Sequence, residues 1–341
     1  MGPVMFPSGP LADDMRWFPI EGAGTVGAVR RAATGLGEQL GLPERRVAEL
    51  AILATELASN LHKHAHDGTV LVRSLRRAGS AGVGLVGVDS GPGIPDVAQA
   101  VSDGHSTAGT LGIGLGAIGR QASWWDMYSL PGVGTVVAAE VWSDGTAAQP
   151  WADGLTRPIA GETTSGDAFA VRSLGGRAQV LVSDGLGHGP LAAAASRVAV
   201  DAFCDAPGAG PGEVVEHLHR ALARTRGAAV MVAELDPAAE VVRAAGLGNI
   251  AGFVLGSGVR RQLVTLPGIV GHQRQRVREF AYPLPGRALV VLHSDGMTDR
   301  WDPDKYPGLL AHSPVVVAAI LLRDGGTRRD DAGVLVARVP T

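Results

Sequence analysis

The chain has 341 residues, 45% of them hydrophobic, enough to bury a core in each of two ordinary domains. Acidic and basic side chains nearly cancel at a formal net charge of −3, so no basic field advertises nucleic-acid binding. The apolar runs Val83 to Val88 and Ala288 to Leu292 fall far short of the ~20 residues of a membrane span, and the lone Cys204 excludes an internal disulfide or a Cys-rich zinc site.

Met1 to Asp14 lacks the basic start and apolar stretch of a signal peptide, so the expected compartment is the cytoplasm, with no membrane partner. Residues 1–12 are expected to be a tail and residues 13–143 a first domain. Within it, Leu42 to Ala65 is expected to be helical. Pro43 suits the first turn, Glu44 suits the positive end, and Leu50, Leu53, Leu57 and Leu61 recur at helical spacing. Glu56, Asn60 and His64 follow one another at every fourth position, stacking a carboxylate, an amide and an imidazole in one row. Such a row also serves as the solvated face of any amphipathic helix.

Val83 to Val88 has the composition of a buried strand and delivers Asp89 into Gly91-Pro92-Gly93. A carboxylate there can accept from the amino group of adenine, with glycines letting the flat base approach the backbone; it can equally close an Asx turn. Asp103 to Thr107 and the run Gly112, Gly114, Gly116 come next, ahead of a helical stretch from Ala117 to Ala122. Glycines before a helix N-terminus present N–H groups to phosphate.

Together with Gly134-Thr135, these residues resemble the GHKL ATPases: Glu56 and Asn60 match the N box, Asp89, Gly91 and Gly93 the first glycine box, and Gly112, Gly114 and Gly116 the second. The likeness is greatest to the small bacterial serine kinases of partner-switching pathways, the RsbT type. It implies ATP as cofactor, with Mg²⁺ held by Asn60, adenine read by Asp89, phosphates lined by Gly112 to Gly116, the final threonine at Thr135, and Glu56 as general base toward a substrate serine. A histidine kinase would need a dimerising segment ahead of Glu56, whereas the residues there are expected to supply the domain's own first elements.

Residues 144–157, polar and containing Gly and Pro, are expected to be a linker, and 158–341 a second domain. There, aspartates sit at the ends of strand-like runs: Gly166-Asp167, Asp184-Gly185, Asp295-Gly296 and Asp330-Asp331. Each pair alone is a common turn. Paired strands can bring such acids together, and converging carboxylates repel unless a cation lies between them. Oxygen-only ligands select Mg²⁺ or Mn²⁺.

The order of Asp167, Asp184-Gly185-Leu186-Gly187-His188-Gly189, Asp295-Gly296-x-x-Asp299 and Asp330-Asp331 resembles PPM phosphatases, in their SpoIIE-like branch. The resemblance implies Asp184 bridging two ions, the Gly185 carbonyl as a ligand, Asp295 and Asp330 completing one metal site and Asp167 supporting the other. His188 is a further candidate, as an acid for the leaving serine oxygen or as a shaper of its turn. Gly333 departs from the family, which usually has threonine there.

The implied fold class is α/β: a GHKL (Bergerat) sandwich, with a mixed sheet and helices on one face, followed by a PPM-type four-layer α-β-β-α sandwich. The implied function is removal of phosphate from phosphoserine or phosphothreonine on a regulatory protein, a STAS-domain antagonist in a sigma-factor or stress pathway, with the first domain writing the mark. In the alternative, the first domain is a non-catalytic module that senses ATP or binds a sigma factor or antagonist.

Overall fold

The computed structural model describes residues 11–77, 79–101, 114–145, 150–256, 258–272, 276–299 and 301–339. The chain folds as two compact units, one built from Pro10–Gln149 with Asp302–Ile320, the other from Pro150–Trp301 with Leu321–Thr341.

The first unit runs β1 (Leu11–Pro19), α1 (Ala23–Gln39), α2 (Glu44–His64), β2 (Thr69–Arg77), β3 (Ser80–Val88), α3 (Val97–Val101), α4 (Gly114–Gln121), β4 (Trp124–Leu130) and β5 (Gly134–Trp142). The strands form one sheet in the order β1-β2-β3-β5-β4, and every neighbouring pair is antiparallel, where a mixed sheet was expected. The segment from α3 through β4 is long enough to return the chain so that β5 runs against β3.

Expected periodicity accounts for α2: Leu50, Leu53, Leu57 and Leu61 are buried and pack with Val29 of α1, Ile118 of α4 and Val70, Leu85 and Val137 of the sheet. Gly87 permits the close approach, since a Cβ there would lie 2.7 Å from Leu57 Cδ1. The alternate strand residues Leu71, Leu75, Val86, Val136, Ala138 and Trp142 are buried too. Trp125, at half-burial, packs on this core.

The second unit contains β6 (Ala152–Arg157), β7 (Asp167–Leu174), β8 (Arg177–Gly185), α5 (Pro190–Asp205), α6 (Pro211–Ala221), β9 (Ala228–Asp236), β10 (Val241–Leu247), β11 (Ala251–Gly256), β12 (Val259–Leu263), β13 (Phe280–Pro283) and β14 (Leu289–His293). The chain then forms α7 (Pro314–Gly325), which straddles the division at Ile320, and β15 (Ala332–Arg338). Two antiparallel sheets result, β13-β10-β9-β8-β7 and β12-β11-β14-β15-β6. Their inward residues, among them Val180, Met231, Val290 and Leu335, form one core, while α5 and α6 cover the outer face of the first sheet through Ala199, Phe203 and Leu218.

Two stretches differ from expectation. Ala152–Arg157, inside the presumed linker, is the edge strand β6, paired with β15 from Ala152↔Ala337 to Arg157↔Ala332. Its polar letters hid a strand whose residues 152 to 155 are all buried, Asp153 included. Asp302–Ile320, inside the presumed phosphatase segment, groups with the first unit. There Asp126 of β4 accepts from His312 Nδ1 at 2.9 Å and from the Ser313 N–H at 2.8 Å, and Tyr128 donates to the Pro307 carbonyl at 3.2 Å.

Burial alone would raise the Asp126 pKa, but the hydrogen bonds from His312 and Ser313 outweigh it and hold the carboxyl at about 2, below its ordinary 3.8. The stability this provides is full above 3.8 and is lost as pH falls through about 2. Replacing Asp126 by Asn removes the charged acceptor. Chemical denaturation at neutral pH is expected to register a loss of about 1–3 kcal/mol, shrinking as both proteins are taken toward pH 2.

Candidate active sites

In the first unit, Asp89 stands where β3 ends and is 8% exposed. Its N–H donates to the Thr135 carbonyl at 3.0 Å, so the register of β3 and β5 sets it beside Thr135. Asp89 Oδ1 accepts from the Gly91 N–H at 2.7 Å and the Thr135 N–H at 3.3 Å. The Asx turn and the strand-end acid are therefore one arrangement. The Thr135 hydroxyl lies 2.8 Å from Ser129 Oγ, which also receives the Ile94 N–H.

Gly93 has φ of +70°, and a Cβ there would lie 2.3 Å from the Leu130 carbonyl oxygen, so the turn is closed to larger residues. Glu56 and Asn60 lie half-buried one turn apart on α2, while His64 at its end is exposed. Gly114 and Gly116 form the first turn of α4. Gly112 and Asp103 to Thr107 lie outside the described residues.

In the second unit, Asp167 opens β7 and Asp184 nearly closes β8, directly opposite in antiparallel register. Asp295 follows β14 and Asp330 precedes β15, and these strands pair with His293 facing Val334, so both acids emerge at the same end of their sheet. The two sheets are tied at this point. Ser294 donates through Oγ to Asp167 Oδ2 at 2.6 Å and accepts the Gly333 N–H at 2.9 Å.

Asp331, buried, accepts the Ile159 N–H at 2.7 Å and the Gly166 N–H at 2.6 Å, fixing the chain just ahead of Asp167. Its neighbour Asp330 accepts the Asp331 N–H through Oδ1 at 2.9 Å. A side chain at Gly333 would press on Asp167, with a Cβ 3.0 Å from the Asp167 Cβ. Gly185 lies against the start of α5, and a Cβ there would lie 2.1 Å from the Ala192 carbonyl oxygen.

The electrostatics follow from this crowding. Burial, then the Asp184 carboxylate, pushes Asp167 well above the usual carboxylate range. Burial, then Asp295 and Asp330, pushes Asp184 up to about 7, and burial with Asp330 raises Asp295. Asp167 Oδ1 is buried without a hydrogen-bond partner. An all-oxygen donor set with an orphaned buried oxygen suits a hard divalent cation. Among the described residues no group of three or more His, Cys, Asp or Glu side chains is placed to hold a metal ion, so ligation here would draw on backbone carbonyl and water oxygens besides the carboxylates.

His188 is exposed, with Nδ1 3.4 Å from Glu162 Oε1. Two contributors were not singled out from the sequence. Ser294 and Asn249, whose Nδ2 donates to Asp295 Oδ2 at 2.6 Å, both orient acids of the cluster. Ser294 adjoins a motif aspartate, but only the packing of the sheets reveals its partner.

Fold and site together define a protein that joins a kinase-like ATPase domain to a PPM serine/threonine phosphatase domain. Residues 20–139 match the histidine kinase-like ATPase domain family, and residues 175–340 match Stage II sporulation protein E (SpoIIE). Over 115 residues the chain is 31% identical to the serine/threonine-protein kinase RsbT of Bacillus subtilis (strain 168), covering 34% of this chain and 86% of RsbT.

A solved chain described under "The bacterial stressosome: a modular system that has been adapted to control secondary messenger signaling" superimposes with a TM-score of 0.51 at 29% identity, covering 55% of this chain and 98% of its own. RsbX in complex with magnesium superimposes with a TM-score of 0.50 at 17% identity, covering 55% and 94%, a likeness of fold. The chain belongs to the RsbT-like family of kinase-type ATPases through its first part and carries a SpoIIE-type PPM phosphatase domain in its second. No helix among the described residues is long and apolar enough to cross a membrane.

Asp331→Ala strips the partner from two N–H groups and should destabilise the protein by about 2–4 kcal/mol, read from urea unfolding. A loss below that of an ordinary surface substitution would show that Asp331 does not anchor the segment before Asp167.

Proposed function

We propose that the second unit is a divalent-metal-dependent phosphatase for phosphoserine or phosphothreonine on a regulatory protein, and that the first unit is an ATP-dependent serine kinase for the same class of protein. The phosphatase reading is carried by the convergence of Asp167, Asp184 and Asp295, whose ionisation is opposed by burial and by one another. In this reading Asp184, the Gly185 carbonyl, Asp167, Asp295 and Asp330 would hold Mn²⁺ or Mg²⁺. When bound, such ions polarise a phosphoryl group and lower the pKa of water.

The protein's own part is positional. Ser294, Asn249 and the backbone pairing of the strands hold the acids in place, and His188, beside Glu162, protonates the leaving serine oxygen. The magnesium in the RsbX structure supports the class of ion.

In the first unit, Asp89 would accept from the adenine amino group and Asn60 would hold Mg²⁺, with Gly114 and Gly116 in the first turn of α4 toward the phosphates and Thr135 beside Asp89; the resemblance adds Gly112 to the phosphate-lining residues. Glu56 removes the proton from the substrate serine. Identity to RsbT and the likeness to a stressosome chain support a partner-switching role, with a STAS-domain antagonist as the protein written and erased.

Asp184→Asn separates this reading from a merely structural acid cluster. Phosphate release from a phosphoserine peptide in Mn²⁺ is expected to drop to the uncatalysed background. The same variant should be more stable than the parent in EDTA at pH 8. The raised Asp184 pKa means that metal-free stability present below 3.8 is lost as pH rises through about 7, and an amide abolishes that loss. An active variant, or one destabilised in EDTA, would count against it.

The kinase half is best read in the Asp184→Asn background, where a phosphate once placed is retained. Adding Glu56→Ala should lower transfer from ATP to a STAS-domain antagonist by about 10²–10⁴-fold while nucleotide affinity persists. Undiminished transfer would remove Glu56 from the mechanism, and no transfer in either protein would favour the ATP-sensing or antagonist-binding module.

A further inference from the structure

We propose that the cleft beside Asp295 is the subsite for the polypeptide segment flanking the phosphorylated serine, and that it holds this segment by hydrogen-bond acceptors directed at N–H or ammonium donors. The inference rests on the phosphatase reading and adds to it how the protein substrate is gripped. The cleft has a volume of about 430 Å³ and is lined by Asn249, Gln262, Thr265, His293 and Asp299, sharing Asp295 with the carboxylate cluster. That size suits one or two amino-acid side chains beyond the phosphate itself.

The walls are built rather than incidental. Arg260 donates to the Asp299 carbonyl at 2.8 Å and to the Trp301 carbonyl at 3.0 Å, while its guanidinium lies over the rings of Phe253 and Trp301 at 4.1 and 4.3 Å. The turn carrying Asp299 is thereby pinned. His293, 1% exposed, stacks on Phe253 with ring centres 5.8 Å apart.

The chemistry of the occupant follows from the acceptors on the cleft wall. The Asp299 carboxylate only accepts, and its Oδ1 lies 3.4 Å from His293 Nε2, which is buried without a hydrogen bond, while His293 Nδ1 is taken up by the Ser294 carbonyl at 2.9 Å. The Asp299 oxygens that face the cleft therefore call for an N–H or ammonium donor. Asp299 is 58% exposed, so such a donor can enter from solvent. Asn249 joins this cleft to the reacting end through its 2.6 Å hydrogen bond to Asp295. A segment seated here therefore lies next to the phosphoserine.

The test compares two substrates of the full chain in Mn²⁺, a phosphoserine peptide and p-nitrophenyl phosphate, which has no flanking residues. Gln262 is exposed on β12, outside the acid cluster, and Gln262→Trp fills the cleft. The peptide KM is expected to rise about three- to tenfold, the equivalent of one or two hydrogen bonds, with p-nitrophenyl phosphate kinetics unchanged. In the parent, a lysine beside the phosphoserine should lower KM relative to a glutamate, and Asp299→Asn should erase that preference. An unchanged peptide KM, or equal losses on both substrates, overturns the subsite while leaving the phosphatase intact. A parent inert toward p-nitrophenyl phosphate overturns the phosphatase reading itself, and the subsite with it.

Discussion

Repulsion between the buried Asp167 and the half-buried Asp184, with the exposed Asp295 and Asp330 close by, is the constraint around which the second unit is organised. Asp167 and Asp184 face each other across β7 and β8, and Asp295 and Asp330 arrive from the ends of β14 and β15. Left to themselves these groups would separate or take up protons, and burial of the pair on the first sheet sharpens the conflict. What holds them is backbone and hydroxyl chemistry. Ser294 ties one sheet to the acid of the other, and Asp331 spends both oxygens on the N–H groups of Ile159 and Gly166. Stability is thus traded for a site that a divalent cation would relieve.

The first unit meets a milder form of the same problem. A single acid, Asp89, is buried at a strand end, and its charge is met by the N–H groups of Gly91 and Thr135. Glycine has a definite task in each unit. At Gly93 the left-handed backbone and the Leu130 carbonyl leave no space for a side chain, and at Gly185 the chain passes against the beginning of α5.

Much of this was legible in the sequence because the relevant signals are local. The apolar spacing of Leu50 to Leu61 forecast α2 and its buried face, and the β-branched runs ending in Asp89, Asp184 and Asp295 forecast strands that deliver acids at their ends. Two assignments were not legible. Residues 152–157 carry too many polar letters to announce a strand, and β6 owes its form to pairing with β15, nearly 180 positions away. Asp302–Ile320 is contiguous with phosphatase motifs in sequence, yet its partners, Asp126 and Tyr128, lie in β4.

The sequence by itself determined the residue types and their order: strand-end aspartates, glycine turns and a helix with a polar row, since each is written in a few neighbouring positions. The tertiary structure alone decided which acids meet, that both Asp331 oxygens are taken by the N–H groups of Ile159 and Gly166, and that Ser294 and Asn249 orient the cluster. It also decided that His293 turns an unpartnered nitrogen toward Asp299. The reason is that convergence depends on strand register and on the packing of one sheet upon another, and these are set by contacts between residues far apart along the chain.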